Sequence, residues 1–213
     1  MITILIADDH TIVRDGLRAL LETQSDLQVL ATAGDGREAV QLTQQLQPQV
    51  VLMDIAMPLL NGIEALHQIQ TSCPHTRVVI LSIHATSEHI YRALQAGAMG
   101  YLLKESAGSE VITAVRAVAV GQRYLSRRIN ETILHEYGGQ GPSRSPLASL
   151  SERERQVLQL TVEGQTAAQI AEQLTLSPKT VETYRSRVMQ KLGLADLPAL
   201  VKFAIQHGIT PLE

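Results

Sequence analysis

Five polar residues stand where apolar runs end, and together they could do chemistry on a phosphoryl group. Asp8 and Asp9 follow Ile2–Ala7. Asp54 follows Val50, Val51, Leu52 and Met53. Ser82 closes a run that starts at Arg77, and Lys104 follows Met99–Leu103. Three carboxylates brought together repel strongly at low dielectric, and a hard cation is what lets them stay ionised. All-oxygen donors select Mg²⁺, with Mn²⁺ as a substitute. A cation there would also neutralise a phosphoryl group carried by Asp54. A hydroxyl (Ser82) and an ammonium (Lys104) could each take one phosphoryl oxygen. All of this requires a fold that brings the ends of four separate runs to one rim.

The hydrophobic pattern supplies such a fold. Short apolar runs at Ile2–Ala7, Leu27–Ala33, Val50–Asp54, Arg77–Ser82 and Met99–Leu103 read as buried strands. Between them, apolar residues recur at helical spacing over Thr11–Glu22, after Gly34-Asp35-Gly36, over Gly62–Ser72, over Ser87–Gln95 and over Ala107–Val120. Strands alternating with helices predict an α/β domain: a doubly wound, five-stranded parallel sheet of flavodoxin-like order 2-1-3-4-5. Its switch point lies between the first and third strands, so Asp8, Asp9 and Asp54 fall in one crevice outside the carboxyl ends.

The second half reads differently. Tyr124–Tyr137 is weakly helical, and the Gly/Ser/Pro-rich stretch Gly138–Pro146 reads as a linker. Ser151-Glu152-Arg153-Glu154 offers a capping box. Helices are expected from there to Gly164, over Thr166–Leu174, over Pro178–Leu192 and over Leu197–Gln206. Four short helices with tight turns predict a small all-α helix-turn-helix module. The expected organisation is therefore 1–121, a linker over 122–146, and 147–213.

With 45% hydrophobic residues there is enough apolar surface for two cores. No apolar run approaches the ~20 residues of a membrane-spanning helix, and the amino end enters a strand without a basic leader. The single cysteine, Cys73, excludes an internal disulfide and reads as a structural thiol. A cytoplasmic location without membrane attachment is expected. The net charge of −3 is unevenly spread: −5 over residues 1–120, +2 over 121–148 and zero over 149–213. Any basic surface is therefore a local patch beyond the acidic half.

These residues, Asp8-Asp9, Asp54 with Met57-Pro58 and Gly62, Ser82, Tyr101 and Lys104, resemble the receiver domain of two-component response regulators over residues 1 to about 120. The resemblance implies that Asp54 is the phospho-acceptor and that Asp9 is a direct Mg²⁺ ligand. Asp8 would support the metal through water, and the Ala56 backbone carbonyl would be a further ligand. It also implies that Ser82 and Lys104 bind the phosphoryl oxygens, with Tyr101 as the switch residue. The chain departs from the pattern at two places. Glu105 stands where many receivers have proline, which leaves the geometry of the Lys104–Glu105 bond open. Ile83 stands where a small residue is frequent, and the expectation is slow loss of phosphate.

Leu150–Glu154, Val157-Leu158, Gly164, Ile170-Ala171, Leu174, Ser177, Thr180-Val181 and Lys191–Leu194 resemble a LuxR-type helix-turn-helix. Together the halves resemble the NarL/FixJ-type response regulators. On the helix Pro178–Leu192, the basic residues Lys179, Arg185, Arg187 and Lys191 exceed the single Glu182 by three, which suits phosphate contact. Val181, Val188 and Leu192 belong to the inner face. Lys179, Glu182, Thr183 and Ser186 face outward, and family position makes Glu182, Thr183 and Ser186 the expected base readers. Thr180, Tyr184, Arg185 and Arg187 are the expected phosphate contacts.

The implied partners are a histidine kinase, double-stranded promoter DNA, RNA polymerase and a second copy paired through the last helix. Two other functions compete with this reading. A magnesium phosphatase with an aspartyl nucleophile would place a second acid two residues after Asp54, where Ala56 stands. A receiver acting on a protein partner would not need the basic helix.

Overall fold

A computed structural model of the chain describes residues 1–83, 86–137 and 145–210. The chain divides into two compact units, Met1–Pro142 and Ser143–Glu213. Residues 138–144 of the expected linker lie outside the described residues.

The first unit alternates strand and helix: β1 (Ile2–Ala7), α1 (Thr11–Glu22), β2 (Leu27–Ala33), α2 (Gly36–Leu46), β3 (Val50–Asp54), α3 (Gly62–Ser72), β4 (Arg77–Ser82), α4 (Ser87–Gln95), β5 (Gly100–Leu103) and α5 (Ala107–Ala119). The sheet is parallel in the order β2-β1-β3-β4-β5, as the hydrophobic pattern predicted, and a sixth strand, β6 (Tyr124–Leu125), is added at the β5 edge. Strand side chains alternate between two cores. Leu5, Val51, Met53, Ile80 and Tyr101 meet α2, α3 and α4 on one face. Ile4, Ile6, Leu52, Leu81 and Leu102 meet α1 and α5 on the other. β3 and β5 are buried throughout and β1 and β4 over their last four and five residues, each large apolar side chain contributing roughly 1.5–3 kcal/mol. Cys73 is buried beside them and accepts a hydrogen bond from Gln47 Nε2.

Residues 122–137 do not belong to a linker. Tyr124 and Leu125 pair with Gly100 and Tyr101, and α6 (Arg127–Tyr137) seats the fully buried Ile129 in the core that holds Tyr101. A two-residue strand carries no periodicity of its own; only the open β5 edge makes it one.

Among its described residues the second unit holds four α-helices: α7 (Glu152–Val162), α8 (Ala167–Leu174), α9 (Pro178–Leu192) and α10 (Leu197–Gln206). Ser151 and Glu154 form the expected capping box, and Thr166 and Gln169 form a second one. Gly193 ends α9 in the left-handed conformation at φ +67°. Leu147, Leu150, Leu158, Val188, Leu200 and Ala204 make the core. No helix among the described residues is long and apolar enough to cross a membrane.

Candidate functional site

Strand register assembles the acidic crevice. Ala7 pairs with Met53, so Asp8 is level with Asp54. Asp54 pairs with Leu81, which puts Ser82 one residue beyond it, and Ser82 pairs with Leu103, which puts Lys104 beyond that. One-residue slips would send these groups to other levels. The loop after β3 is anchored by the buried Ile55 and Met57. Asn61 caps α3 by accepting from the amides of Ile63 and Glu64. The Gly62 amide donates to the Ile55 carbonyl at 2.8 Å, and a Cβ at Gly62 would fall 1.9 Å from the Asp54 carbonyl oxygen. Glycine is therefore what lets α3 start hard against the end of β3.

At the rim, Lys104 Nζ lies 2.7 Å from Asp54 Oδ2 and 2.7 Å from Asp8 Oδ2. Asp8 is fully buried and Asp54 almost so. Burial is the largest influence on Asp54, pushing its carboxyl up to about 6. Lys104 pulls it down, and Asp8 and Asp9 push it further up. Lys104 is held above its ordinary range: burial opposes its charge, but Asp54 and Asp8 outweigh burial. Single oxygens of Asp8, Asp9 and Asp54 and a ring nitrogen of His10 all lie within 4.8 Å of one another. His10 Nδ1 is 2.6 Å from Asp9 Oδ1, and Arg14 donates to the Asp8 carbonyl. The buried Asp8 Oδ2 and Asp9 Oδ1 accept no hydrogen bond of good geometry, only these close cations and imidazole. Such a carboxylate set, short of donors, fits a hard divalent cation.

Tyr101 is fully buried, and its hydroxyl hydrogen-bonds the Ser82 side chain. Burial, the larger influence, raises the phenol pKa. The Lys104–Glu105 bond is trans, and Ile83 stands 72% exposed. Sequence reasoning missed His10, which sits against both carboxylates just before α1, and Arg14, which reaches back from α1 to the Asp8 backbone carbonyl. Their only sequence signal is proximity to Asp8-Asp9.

In the second unit, α8, a turn with Thr175 at φ +56°, and α9 form the helix-turn-helix. Val181 and Val188 face inward as expected. Lys179, Glu182, Thr183, Ser186 and Arg187 are exposed, and Thr180 and Tyr184 are half-buried. Ser177, Lys179, Thr180, Thr183, Tyr184 and Arg187 line a concavity of about 330 Å³. The guanidinium of Arg185, expected on phosphates, is engaged within the unit, donating to Thr161 Oγ1 at 3.0 Å, the Gln165 carbonyl at 2.8 Å and Glu182 Oε1 at 3.1 Å. Thr161 is buried and Gln165 half-buried, so both acceptors gain a charged donor from Arg185. Lys191 is likewise held, by Glu154 and the Ser149 carbonyl.

Residues 4–116 match the response regulator receiver domain, and residues 148–204 match the bacterial regulatory proteins of the luxR family. The chain is 39% identical over 213 residues to the response regulator UvrY of Escherichia coli (strain K12), covering all of this chain and 98% of that protein. It is 38% identical to the oxygen regulatory protein NreC of Staphylococcus carnosus, covering 97% and 98%. The RcsB response regulator structure from Salmonella typhimurium aligns with a TM-score of 0.61 at 25% identity, over 95% of this chain and 97% of that one. Carboxylates gathered at the carboxyl ends of a parallel sheet, followed by a helix-turn-helix, thus agree with the matched families, and the chain belongs to the two-component response regulators that join a receiver domain to a LuxR-type DNA-binding module and regulate transcription.

Proposed function

We propose that Asp54 accepts a phosphoryl group from a histidine kinase and that this controls promoter binding through α9. The observation that carries the reading is the joint approach of Lys104 Nζ to Asp54 and Asp8 at 2.7 Å, on the rim that Asp9 and Ser82 also reach. Ionised Asp54 attacks phosphorus; the P–N bond to the donor imidazole breaks, and its electron pair stays on the nitrogen. Lys104 then turns from the carboxylate to a phosphoryl oxygen, and the Ser82 hydroxyl turns from Tyr101 to another. Asp9, Asp54 and the Ala56 carbonyl, with Asp8 behind them, would hold Mg²⁺ or Mn²⁺. The cation supplies charge neutralisation at the transferring phosphoryl oxygens.

The output reading rests on what α9 leaves exposed. Glu182, Thr183 and Ser186 read base edges, Glu182 accepting from cytosine N4. Thr180, Tyr184, Lys179 and Arg187 hold phosphates. A homodimer forms through α10, where Leu197 is exposed and Val201 and Ile205 are only half covered, while Leu200 and Ala204 serve the unit's own core. One of the similar solved structures is an RcsB–DNA complex, aligning with a TM-score of 0.59 at 25% identity over 95% of this chain and 96% of that one. It supports the docking mode.

The test combines acetyl phosphate labelling of wild type and Asp54→Asn with selection from genomic DNA. Labelling is expected to need Asp54 and a divalent cation, and phosphorylated protein is expected to bind the selected sites more tightly. Label retained in Asp54→Asn, or equal DNA binding by both forms, overturns the reading.

A further inference from the structure

The segment from Tyr124 to Asn130 is fastened to the phosphate site at two points, and neither fastening is strong. The first is Tyr101. Its hydroxyl bonds Ser82, while its backbone pairs with Leu125 and its carbonyl accepts from the Ser126 amide at 3.1 Å. The second is Glu105, which directly follows Lys104 and forms an ion pair with Arg128 at the start of α6. Between these points, Ile129 is buried in the same apolar cluster as Tyr101, with Leu125 and Ile133 packed against it.

Each fastening is the sort that gives way. β6 is a two-residue edge strand, and short strands on an open edge sit at the low end of local stability. Both partners of the Glu105–Arg128 pair are about two-thirds exposed, so it contributes little and is easily exchanged. The Ser126 hydroxyl is buried without a hydrogen-bond partner, which weakens the joint further.

We propose that β6 and α6 form a strap that reports the state of Asp54 to the chain leading on to the helix-turn-helix unit. When Ser82 and Lys104 turn to a phosphoryl group, Tyr101 loses its hydroxyl partner and the turn Lys104–Ser106 follows its lysine. Both shifts act directly on the strap's attachments, and the strap loosens. Unfastening it lengthens the chain between the units. Glu105 is the residue that gives the second attachment; a proline there would leave Arg128 without a carboxylate. The inference rests on Asp54 being the phospho-acceptor.

The test is hydrogen exchange by mass spectrometry on the full chain. Unphosphorylated protein is compared with protein labelled by acetyl phosphate and Mg²⁺, and intact mass verifies one phosphoryl group per chain. Amides of residues 126–130 should exchange about tenfold faster in the phosphorylated protein. Arg128→Glu should speed the same amides about threefold without phosphate, and Glu105→Arg placed in that variant should restore the slow rate. Phosphorylated protein with unchanged exchange at 126–130 overturns the strap and leaves the acceptor reading standing. Failure to take up phosphate at Asp54 overturns both, since it removes the trigger.

Discussion

Asp54→Asn should make the metal-free protein more stable, although it removes the residue on which the proposed function turns. The buried carboxyl titrates near 6 against 3.8 for an ordinary aspartate. Holding it ionised at pH 7.5 therefore costs about 3 kcal/mol of folding free energy. Asparagine removes the charge but turns an amide donor toward Lys104, which takes back about 1 kcal/mol. The net gain is about 2 kcal/mol, or a rise of about 1 M in urea midpoint. The pH dependence follows from the direction of the shift. A carboxyl raised in the folded state costs nothing while protonated in both states, and its penalty grows as pH rises from 3.8 through about 6. The gain should therefore be full at pH 7.5 and close to zero at pH 4.5. Four of the five tyrosines lie in the first unit and the chain has no tryptophan, so tyrosine fluorescence in urea with a chelator present reports mainly on the unit that matters. A variant no more stable than wild type at pH 7.5, or a gap that does not change with pH, refutes the electrostatic account of the crevice.

Other outcomes follow from the same geometry. Mg²⁺ should raise the urea midpoint of wild type more than that of Asp54→Asn, because a cation binds the folded carboxylate set and not the unfolded chain; equal shifts would place the cation elsewhere. Gly62→Ala should lower stability by about 3 kcal/mol and reduce phosphoryl uptake, since its Cβ meets the Asp54 carbonyl 1.9 Å away; urea midpoints and labelling rates measure both. Arg187→Ala should weaken DNA binding about tenfold and flatten the salt slope by about 0.9, read by binding titrations at several salt concentrations. Arg185→Ala should instead lower the melting transition of the second unit, because its hydrogen bonds close that unit; a change in salt slope with no loss of stability would return Arg185 to the phosphate contacts.

Much of the architecture was legible from local pattern. Apolar runs of strand length and helical spacing between them placed the first five strands and their helices. Caps such as Ser151 with Glu154, and Gly193 after α9, marked the ends of the second unit's helices. These are decisions a chain makes within a few residues, so sequence states them. The carboxylates, Ser82 and Lys104 were also legible, because strand ends are visible once strands are.

What the tertiary structure alone decided involves partners far apart in the chain. Register brought Lys104 to 2.7 Å from both Asp8 and Asp54, where burial pushes the Asp54 carboxyl up and Lys104 pulls it down. An open sheet edge turned Tyr124-Leu125 into a strand and drew Ile129 into the core, where the pattern showed only a weak helix inside the expected linker. Acceptors at the buried Thr161 and the half-buried Gln165 engage Arg185, which on a helical wheel looks as free as Arg187. Sequence fixes which groups a segment offers. Whether a group meets solvent, a carboxylate or a buried carbonyl depends on desolvation by the assembled fold, and no local stretch of chain encodes that.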